Sequence, residues 1–141
     1  MQNDNKAIAH KFLDLSWRKD NIKELEAIST ENFYYQTTFT DEIFSLKQYI
    51  DYIKTFRISM PDIMLHIEET MCEGNRVMTH ISFSGTVKEP FYGIPSTDSI
   101  IAFPVISLWD IKNGKVASLN TLIDIRGIEN QLKTRLVKPP L

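Results

Sequence analysis

One carboxylate near the C-terminal end of the chain is placed where it could transfer protons. Asp124 lies among Leu122, Ile123 and Ile125. Apolar surroundings raise the pKa of a carboxyl group from about 3.9 toward neutrality, and such a group can remove a proton and later return one. Arg126 follows two residues on, and in a strand it would point to the same side and lower that pKa. The sequence therefore predicts an acid/base candidate at Asp124, with a solvated Asp124–Arg126 ion pair as the alternative.

The alternation of side chains along the last predicted strand bears on where Asp124 points. The more apolar face consists of Ala117, Leu119, Thr121, Ile123 and Ile125. Asn120, Asp124 and Arg126 share the other face, because successive strand residues point to opposite sides of a sheet. If the apolar face is the buried one, Asp124 is exposed.

Two further polar residues could assist a proton transfer. Asn120, on the side of Asp124, could orient the carboxylate or a substrate oxygen. His80 shares a strand face with Met78 and Ser82 and could donate a hydrogen bond to a substrate carbonyl. A histidine on the sheet surface is the simpler interpretation of that position. The histidines of the chain do not combine with carboxylates at metal-ligand spacing, so no metal site is predicted.

Aromatic side chains are numerous enough to wall a pocket for a flat, apolar ligand. The candidate substrate-binding residues among them are Tyr35, Phe56, Phe91, Tyr92 and Trp109. Tyr35 and Tyr92 could also hydrogen-bond a carbonyl. The alternative for each is ordinary core packing, in which a buried side chain contributes about 1.5–3 kcal/mol.

Length and composition indicate an ordinary globular protein and exclude several partners. The 141 residues are 43% hydrophobic and 24% charged, which fits one domain over residues 1–141. A net charge of −2 provides no positive field to attract nucleic acid or an anionic membrane. Cys72 is the only cysteine, so no internal disulfide is expected. The N-terminus lacks a signal pattern, and no apolar stretch approaches the roughly 20 residues of a membrane span, which favours a cytoplasmic location.

Three helices are expected in the first part of the chain. Apolar spacing predicts an amphipathic helix from Asn5 to Lys19. Asp20 and Asn21 can end it and cap a second helix, Ile22 to Ile28. Ser45–Gln48 has the S-x-x-Q form of a capping box and opens the third helix.

From Pro61 onward the hydrophobic period changes to two, which predicts strands. These strands are a hairpin pair turning at Gly74-Asn75, a nearly all-apolar strand Ile100–Ile111, and Lys115–Ile125. An earlier strand is expected at Asn32–Thr37 because of its aromatic residues. Asn113-Gly114 joins the last two as a tight hairpin turn. A loop from Gly85 to Asp98 and a short final helix from about Gly127 to Arg135 complete the elements. Helices grouped ahead of antiparallel strands indicate an α+β fold, and a sheet that curves around the helices would enclose a pocket.

Two stretches resemble the SnoaL-like polyketide (ester) cyclases of the nuclear-transport-factor-2-like superfamily. Gly85-Thr86 followed by FYGIPST at residues 91–97 is similar to the family's Gly-Thr-His, Phe-x-Gly-x-Pro and Thr-Gly pattern. The run NGKVASLNTLIDIRGIENQL at residues 113–132 resembles its hairpin, its strand ending in aspartate and its closing helix with Gln-Leu. With Met60-Pro61-Asp62 and the element order, the resemblance covers about residues 5–132.

The resemblance implies both a fold and a reaction. The fold would be a cone-shaped, cystatin-like α+β structure, with N-terminal helices packed in a curved antiparallel β-sheet and a homodimer formed through that sheet. The reaction would be aldol-type cyclisation or isomerisation of a keto-ester or polyketide-like small molecule, with no metal or cofactor. Asp124 matches the family's acid/base aspartate and would face the pocket.

Departures from the family pattern leave other functions open. Val87 stands where the family has histidine, and Asn120 stands where it has tryptophan. Both changes favour a non-catalytic domain that binds a small apolar or aromatic ligand. A third possibility is another reaction on the same fold, such as ketosteroid isomerisation or epoxide hydrolysis. Epoxide opening requires carboxylates around an arginine, and Asp110, Asp124 and Arg126 are the available set.

Overall fold

The computed structural model describes residues 2–19, 21–96 and 100–136. Its helices are α1 (Gln2–Asp14), a π-helical turn that continues it (Leu15–Lys19), α2 (Ile22–Ala27), α3 (Leu46–Ser59) and α4 (Ile125–Leu136). The first predicted helix is therefore confirmed in extent, but its last turn is π-helical. Asp20 and the Thr97–Asp98 part of the predicted loop lie outside the described residues.

Six strands form one sheet in the described part of the chain. They are β1 (Ser29–Thr37), β2 (Thr40–Phe44), β3 (Met64–Glu73), β4 (Arg76–Gly85), β5 (Ile101–Lys112) and β6 (Lys115–Ile123). Their order across the sheet is β2-β1-β6-β5-β4-β3. Neighbours are antiparallel except β1 and β6, which pair in parallel, so the expectation of a wholly antiparallel sheet is corrected. The parallel pair joins the first and the last strand of the described sheet, which β2 to β5 separate along the chain.

Local signals in the sequence explain where several elements begin and turn. The side chain of Asn21 accepts a hydrogen bond from the Glu24 backbone N–H and caps α2. Ser45 and Gln48 exchange the reciprocal hydrogen bonds of a capping box at the start of α3. Asn113 adopts a φ of 52°, as the tight turn between β5 and β6 requires. These three predictions are confirmed.

The two faces of the sheet differ in burial. On β4 the residues Val77, Thr79, Ile81 and Phe83 are buried on the inner face, against the helices. Met78, His80 and Ser82 lie on the outer face and are partly exposed. The same alternation runs along β5, where Ala102, Pro104 and Leu108 are exposed. A nearly all-apolar strand is expected to be buried on both faces, but β5 is buried only on its inner face.

The junction between β6 and α4 differs from the sequence prediction. β6 ends at Ile123, two residues early, and α4 begins at Ile125. The Asp124 carboxylate accepts a hydrogen bond from the Gly127 backbone N–H at 2.9 Å, which is the interaction of a helix N-cap. An aspartate at this position satisfies a backbone donor of the first helical turn, so the chain leaves the strand there. β2, which the sequence analysis did not predict, is a short, largely exposed edge strand.

The fold is α+β, with helices on the inner face of a curved, unclosed sheet. The predicted fold class is therefore confirmed. Within the described residues no helix is both long enough and apolar enough to cross a membrane.

Candidate functional site

A small chamber lies between the N-terminal helices, α3 and the inner face of the sheet. It is lined by Leu13, Trp17, Tyr35, Tyr49, Tyr52, Phe56, Ile81, Phe83, Val105, Ser107, Leu119, Thr121 and Ile123. The space open to a water-sized sphere is about 20 Å³. That volume accommodates about one water molecule. In this conformation the chamber is therefore closed around its own side chains.

Hydroxyl groups are the polar atoms of the chamber wall. Ser107 Oγ and Thr121 Oγ1 are 3.1 Å apart and share a hydrogen bond across β5 and β6. The Tyr49 hydroxyl donates to Ser16 Oγ at 3.0 Å. The Tyr35 and Tyr52 hydroxyls lie close to one another. The wall thus combines an aromatic and aliphatic surface with several hydrogen-bonding groups.

The tyrosines of the chamber are held in their neutral form. Burial raises the pKa of Tyr35, and the neighbouring hydroxyl of Tyr52 partly opposes that rise. Burial also raises the pKa of Tyr49, and that of Tyr52 well above its ordinary value. Because desolvation penalises the phenolate, these hydroxyls stay protonated at neutral pH and can donate hydrogen bonds.

Thr37 brings an incompletely bonded hydroxyl next to the chamber. It lies opposite Thr121 in the parallel β1–β6 ladder. Its hydroxyl is near enough to Tyr35 and Tyr52 to affect their pKa values. Nevertheless Thr37 Oγ1 is buried and completes no hydrogen bond of ordinary distance and angle. A buried polar atom left in this state costs about 1–3 kcal/mol.

No acid/base group of near-neutral pKa lines the chamber in the described part of the chain. Its lining includes no aspartate, glutamate, histidine, lysine or cysteine. Groups of three or more such side chains placed to hold a metal ion are also absent from the described residues. The chamber as it stands can therefore enclose an apolar group and donate to an oxygen atom.

Asp124 lies outside this chamber. Its side chain is exposed and caps α4 through Gly127. The preceding residue, Ile123, is buried and lines the chamber, so Asp124 stands at the point where the chain leaves the chamber wall. Arg126 is exposed in the first turn of α4. The expectation that Asp124 and Arg126 share a strand face is wrong because neither belongs to β6, and the expectation that Asp124 faces the pocket is corrected.

Asn120 and His80 lie on the outer face of the sheet. Asn120 pairs with Leu108 on β5, and His80 pairs with Ile106. Both are partly exposed, and neither lines the chamber. The structure therefore separates the two predicted polar assistants from the tyrosine hydroxyls by the thickness of the sheet.

The predicted aromatic residues divide between the chamber and its surroundings. Tyr35 and Phe56 line the chamber. Phe91 packs edge-on against Phe56 with ring centroids 4.3 Å apart, behind the chamber wall. Tyr92 is exposed and stacks on Phe39. Trp109 is fully buried, and its Nε1–H donates to Thr79 Oγ1, so it is a core residue.

The carboxylates considered for epoxide opening are far apart. Asp110 lies near the β5–β6 turn, where its carboxylate is 3.9 Å from Lys112 Nζ. Asp124 follows the opposite end of the β5–β6 ladder, where Ile123 pairs with Val105. The geometry gives no support to Asp110, Asp124 and Arg126 acting together.

Of the five chamber residues that carry a hydroxyl group, the sequence analysis predicted only Tyr35. The four that it missed are Tyr49, Tyr52, Ser107 and Thr121. Tyr49 and Tyr52 are three residues apart on α3, the spacing that places two side chains on one helix face. Ser107 and Thr121 lie on the buried faces of β5 and β6, where the other side chains at alternate positions are mostly apolar. A search for polar side chains at buried positions of a strand pattern would have found both.

Solved structures share this fold along most of their length. A SnoaL-like polyketide cyclase from Agrobacterium tumefaciens aligns with a TM-score of 0.78 and 21% identity, over 91% of this chain and 97% of that one. A proposed SnoaL-like polyketide cyclase from Jannaschia sp. CCS1 aligns with a TM-score of 0.82 and 17% identity, over 99% and 96%. AclR, a proposed hydroxylase from Streptomyces galilaeus, aligns with a TM-score of 0.78 and 18% identity, over 99% and 91%. At such low identities the likeness establishes the fold alone.

The sequence itself also matches one family. No curated protein sequence matches the chain. The SnoaL-like polyketide cyclase family matches it over residues 7–132, from α1 to the middle of α4. That range includes every described strand of the sheet and every residue of the chamber wall. On this match, which agrees with the fold, the chain belongs to the SnoaL-like polyketide cyclase family.

Proposed function

We propose that the chamber binds a small apolar molecule through a carbonyl oxygen, to which the Tyr35 and Tyr52 hydroxyls donate hydrogen bonds. The observation that carries this proposal is the chemistry of the wall. It is aromatic and aliphatic, and its polar atoms are hydroxyls that burial keeps neutral. A carbonyl oxygen accepts such hydrogen bonds without bringing a charge into the interior, whereas a buried unpaired charge is costly.

The ligand must widen the chamber when it enters. Small-molecule pockets measure roughly 300–1,000 Å³, and the chamber provides about 20 Å³. The aromatic side chains of the wall, including Tyr52 and Phe56, would have to rotate or shift outward. The neutral donors would then meet the carbonyl in surroundings with little water, where hydrogen bonds are stronger than in bulk solvent.

Hydrogen-bond donors at a carbonyl also favour removal of a neighbouring proton, because they stabilise the negative charge that develops on the oxygen. This arrangement supplies one half of an enolisation, the step that begins an aldol-type cyclisation or an isomerisation. The other half is a base, which the chamber wall does not contain within the described residues.

Turnover with Asp124 as acid/base is the second candidate function. It is favoured by membership of the cyclase family and by the position of Asp124 directly after Ile123, which lines the chamber. A substrate with a second carbonyl, long enough to extend from the tyrosine hydroxyls to the start of α4, would bring a carbon next to that second carbonyl within range of this carboxylate. No metal or cofactor is required by this chemistry.

Paired ligands test the binding proposal. Isothermal titration with 2-acetylnaphthalene and with 2-ethylnaphthalene, which lacks the carbonyl oxygen, should show that the ketone binds more tightly. Tyr52→Phe should weaken binding of the ketone about fivefold to tenfold, the usual value of one hydrogen bond, and leave the hydrocarbon unchanged. Tyr34→Phe is the matched control, because Tyr34 is an exposed residue of β1. Equal affinities for both ligands would contradict the proposal.

Deuterium exchange at the methyl groups of 2,6-diacetylnaphthalene, which carries a second ketone at its far end, tests the second candidate. If Asp124 is the base, Asp124→Asn should abolish exchange while the helix remains capped, because an asparagine oxygen can still accept from the Gly127 N–H. Asp51→Asn, at an exposed position of α3, is the control. Exchange by the Asp124→Asn variant at the rate of the unaltered protein would remove Asp124 from the chemistry.

A further inference from the structure

An open groove lies on the surface next to the chamber, between the π-helical turn and the start of β3. It is lined by Trp17, Arg18, Ile63, Met64, Leu65 and Phe83, and we refer to it as the outer groove. Its space for water-sized spheres is about 300 Å³. Trp17 and Phe83 line both the outer groove and the chamber. The two spaces are therefore neighbours with a shared wall.

The shared wall is a layer of aromatic rings. The Trp17 indole meets the Phe83 ring edge-on, with centroids 5.0 Å apart. It also meets Phe56 edge-on, at 5.3 Å. Trp17 is only partly buried. Trp17 is thus the more exposed of the two residues that line both spaces.

Trp17 is carried by an unusual piece of backbone. It lies in the π-helical turn Leu15–Lys19, and such turns, which hold one residue more than an α-helical turn, often occur at functional sites. The turn is held from α3 through Ser16, whose carbonyl oxygen accepts from the Arg57 guanidinium at 3.3 Å and whose Oγ accepts from Tyr49. These hydrogen bonds hold Ser16 in place. The next side chain, Trp17, is held by its packing against aromatic rings.

The outer groove has a cationic side chain at its edge. The Arg18 guanidinium donates to the Leu65 carbonyl oxygen at 2.9 Å and lies 3.6 Å from an Asp14 carboxylate oxygen. Half of the Arg18 side chain is exposed. The planar guanidinium carries several N–H donors in a fork that matches a carboxylate. The residues lining the groove include no acidic side chain, and the Asp14 carboxylate beside Arg18 engages only part of the N–H donors of its guanidinium.

We infer that the outer groove and the chamber are one ligand site divided by Trp17, which moves aside to admit the ligand, and that Arg18 binds an anionic group at the ligand's outer end. This inference rests on the proposed binding function. The ligand class is an elongated apolar molecule with a carbonyl at its inner end and a carboxylate at its outer end. The groove and chamber together reach the lower end of the size range of small-molecule pockets, which the chamber alone does not.

Two probes separate the roles of the inner and outer ends. The first is 2-acetylnaphthalene, and the second is 6-acetyl-2-naphthoate, which adds a carboxylate at the opposite end. Arg18→Gln should weaken binding of the acid about tenfold, the order expected for a hydrogen bond to a charged group, and leave the ketone unaffected. Lys19→Gln is the matched control, because Lys19 also contacts Asp14 but does not line the groove. Equal loss for both probes, or none for the acid, would overturn the role of Arg18.

The entry route is tested by association rates in stopped-flow fluorescence. Met64→Trp places a bulky side chain at an exposed groove position and should slow association of both probes at least tenfold. Met71→Trp is the matched control, because Met71 is an exposed residue of the same strand outside the groove. Trp17→Ala, if it folds, should accelerate association. Unchanged association rates in the Met64→Trp variant would overturn entry past Trp17, whether or not the Trp17→Ala variant folds.

The results distinguish a wrong entry route from a wrong binding function. If neither probe binds the unaltered protein, the proposed function fails, and the inference falls with it. If both probes bind and Tyr52→Phe weakens them, but Met64→Trp and Arg18→Gln change nothing, then the chamber binds ligands by another route. In that case the inference alone is overturned.

Discussion

The chamber wall and the start of α4 present polar side chains in opposite settings. In the chamber, the hydroxyls of Tyr35 and Tyr52 are buried and project from β1 and α3 into an apolar space. At the start of α4, the carboxylate of Asp124 is exposed and accepts a backbone hydrogen bond that the helix needs. The hydroxyls cost free energy to bury, whereas the carboxylate stabilises the local backbone.

This difference indicates which group is better explained by function than by folding. A side chain that caps a helix has a sufficient structural reason for its identity. Buried tyrosine hydroxyls beside an incompletely bonded Thr37 have no such reason, because phenylalanine and valine would fill the same space. The comparison therefore favours the chamber hydroxyls as the ligand-binding groups, and each experiment below tests one side of it.

Alkaline pH should produce the largest loss of stability, because it favours ionisation of the buried tyrosines of the chamber. Burial raises the pKa values of Tyr35, Tyr49 and Tyr52 above 10.0, so the folded protein retains protons that the unfolded chain releases. Their contribution to stability is thus complete below pH 10 and is lost as the pH rises above it, by about 1.4 kcal/mol per pH unit for each tyrosine. Urea unfolding between pH 8 and 11 measures the slope. Tyr49→Phe should reduce it, and Tyr34→Phe should not.

Removing the Asp124 cap at the start of α4 should have an intermediate effect on the free energy of unfolding. Asp124→Ala leaves the Gly127 N–H without its acceptor and should lower the free energy of unfolding by about 1 kcal/mol. Asp124→Asn keeps an acceptor oxygen and should cost only a fraction of that. Urea unfolding at pH 7 measures both variants. Equal and negligible losses would show that the cap is unimportant and would restore a functional explanation for Asp124.

Removing the incompletely bonded hydroxyl of Thr37 should have the smallest effect on stability. Unlike the two changes above, it should raise the free energy of unfolding. Thr37→Val removes a buried oxygen that completes no hydrogen bond and keeps the shape of the side chain, so it should raise the free energy of unfolding by about 0.5–1 kcal/mol. Thermal unfolding measures the change, with Thr30→Val, at a partly exposed position of β1, as control. A destabilised Thr37→Val variant would show that this hydroxyl is bonded in the folded protein.

The sequence was most informative where one short pattern determines one local structure. Asn21, the Ser45–Gln48 box and Asn113-Gly114 each satisfy or shape the backbone within a few residues, so their roles were predictable. The family resemblance then supplied the fold class, which the structure confirms. The parallel pairing of β1 with β6 was not predictable, because it depends on contacts between distant parts of the chain.

The candidate site was harder to predict because it depends on where strands end. Extending β6 by two residues placed Asp124 and Arg126 on a strand face, whereas the cap on α4 ends the strand at Ile123. The alternation correctly put Leu119, Thr121 and Ile123 on the buried face. The same alternation excluded Asn120 from the chamber, whereas Tyr52 lines the chamber because of the way α3 packs against the sheet.

The position of β6 in the sheet has a consequence for how the protein folds during its synthesis. β6 is the last strand to be made, and it lies between β1 and β5. Until it leaves the ribosome, the hairpin of β1 and β2 and the meander of β3 to β5 share no ladder, and each presents an unpaired edge. Joining of the two parts of the sheet thus waits for the synthesis of β6, and a nascent chain stalled before Lys115 would expose two edges open to aggregation.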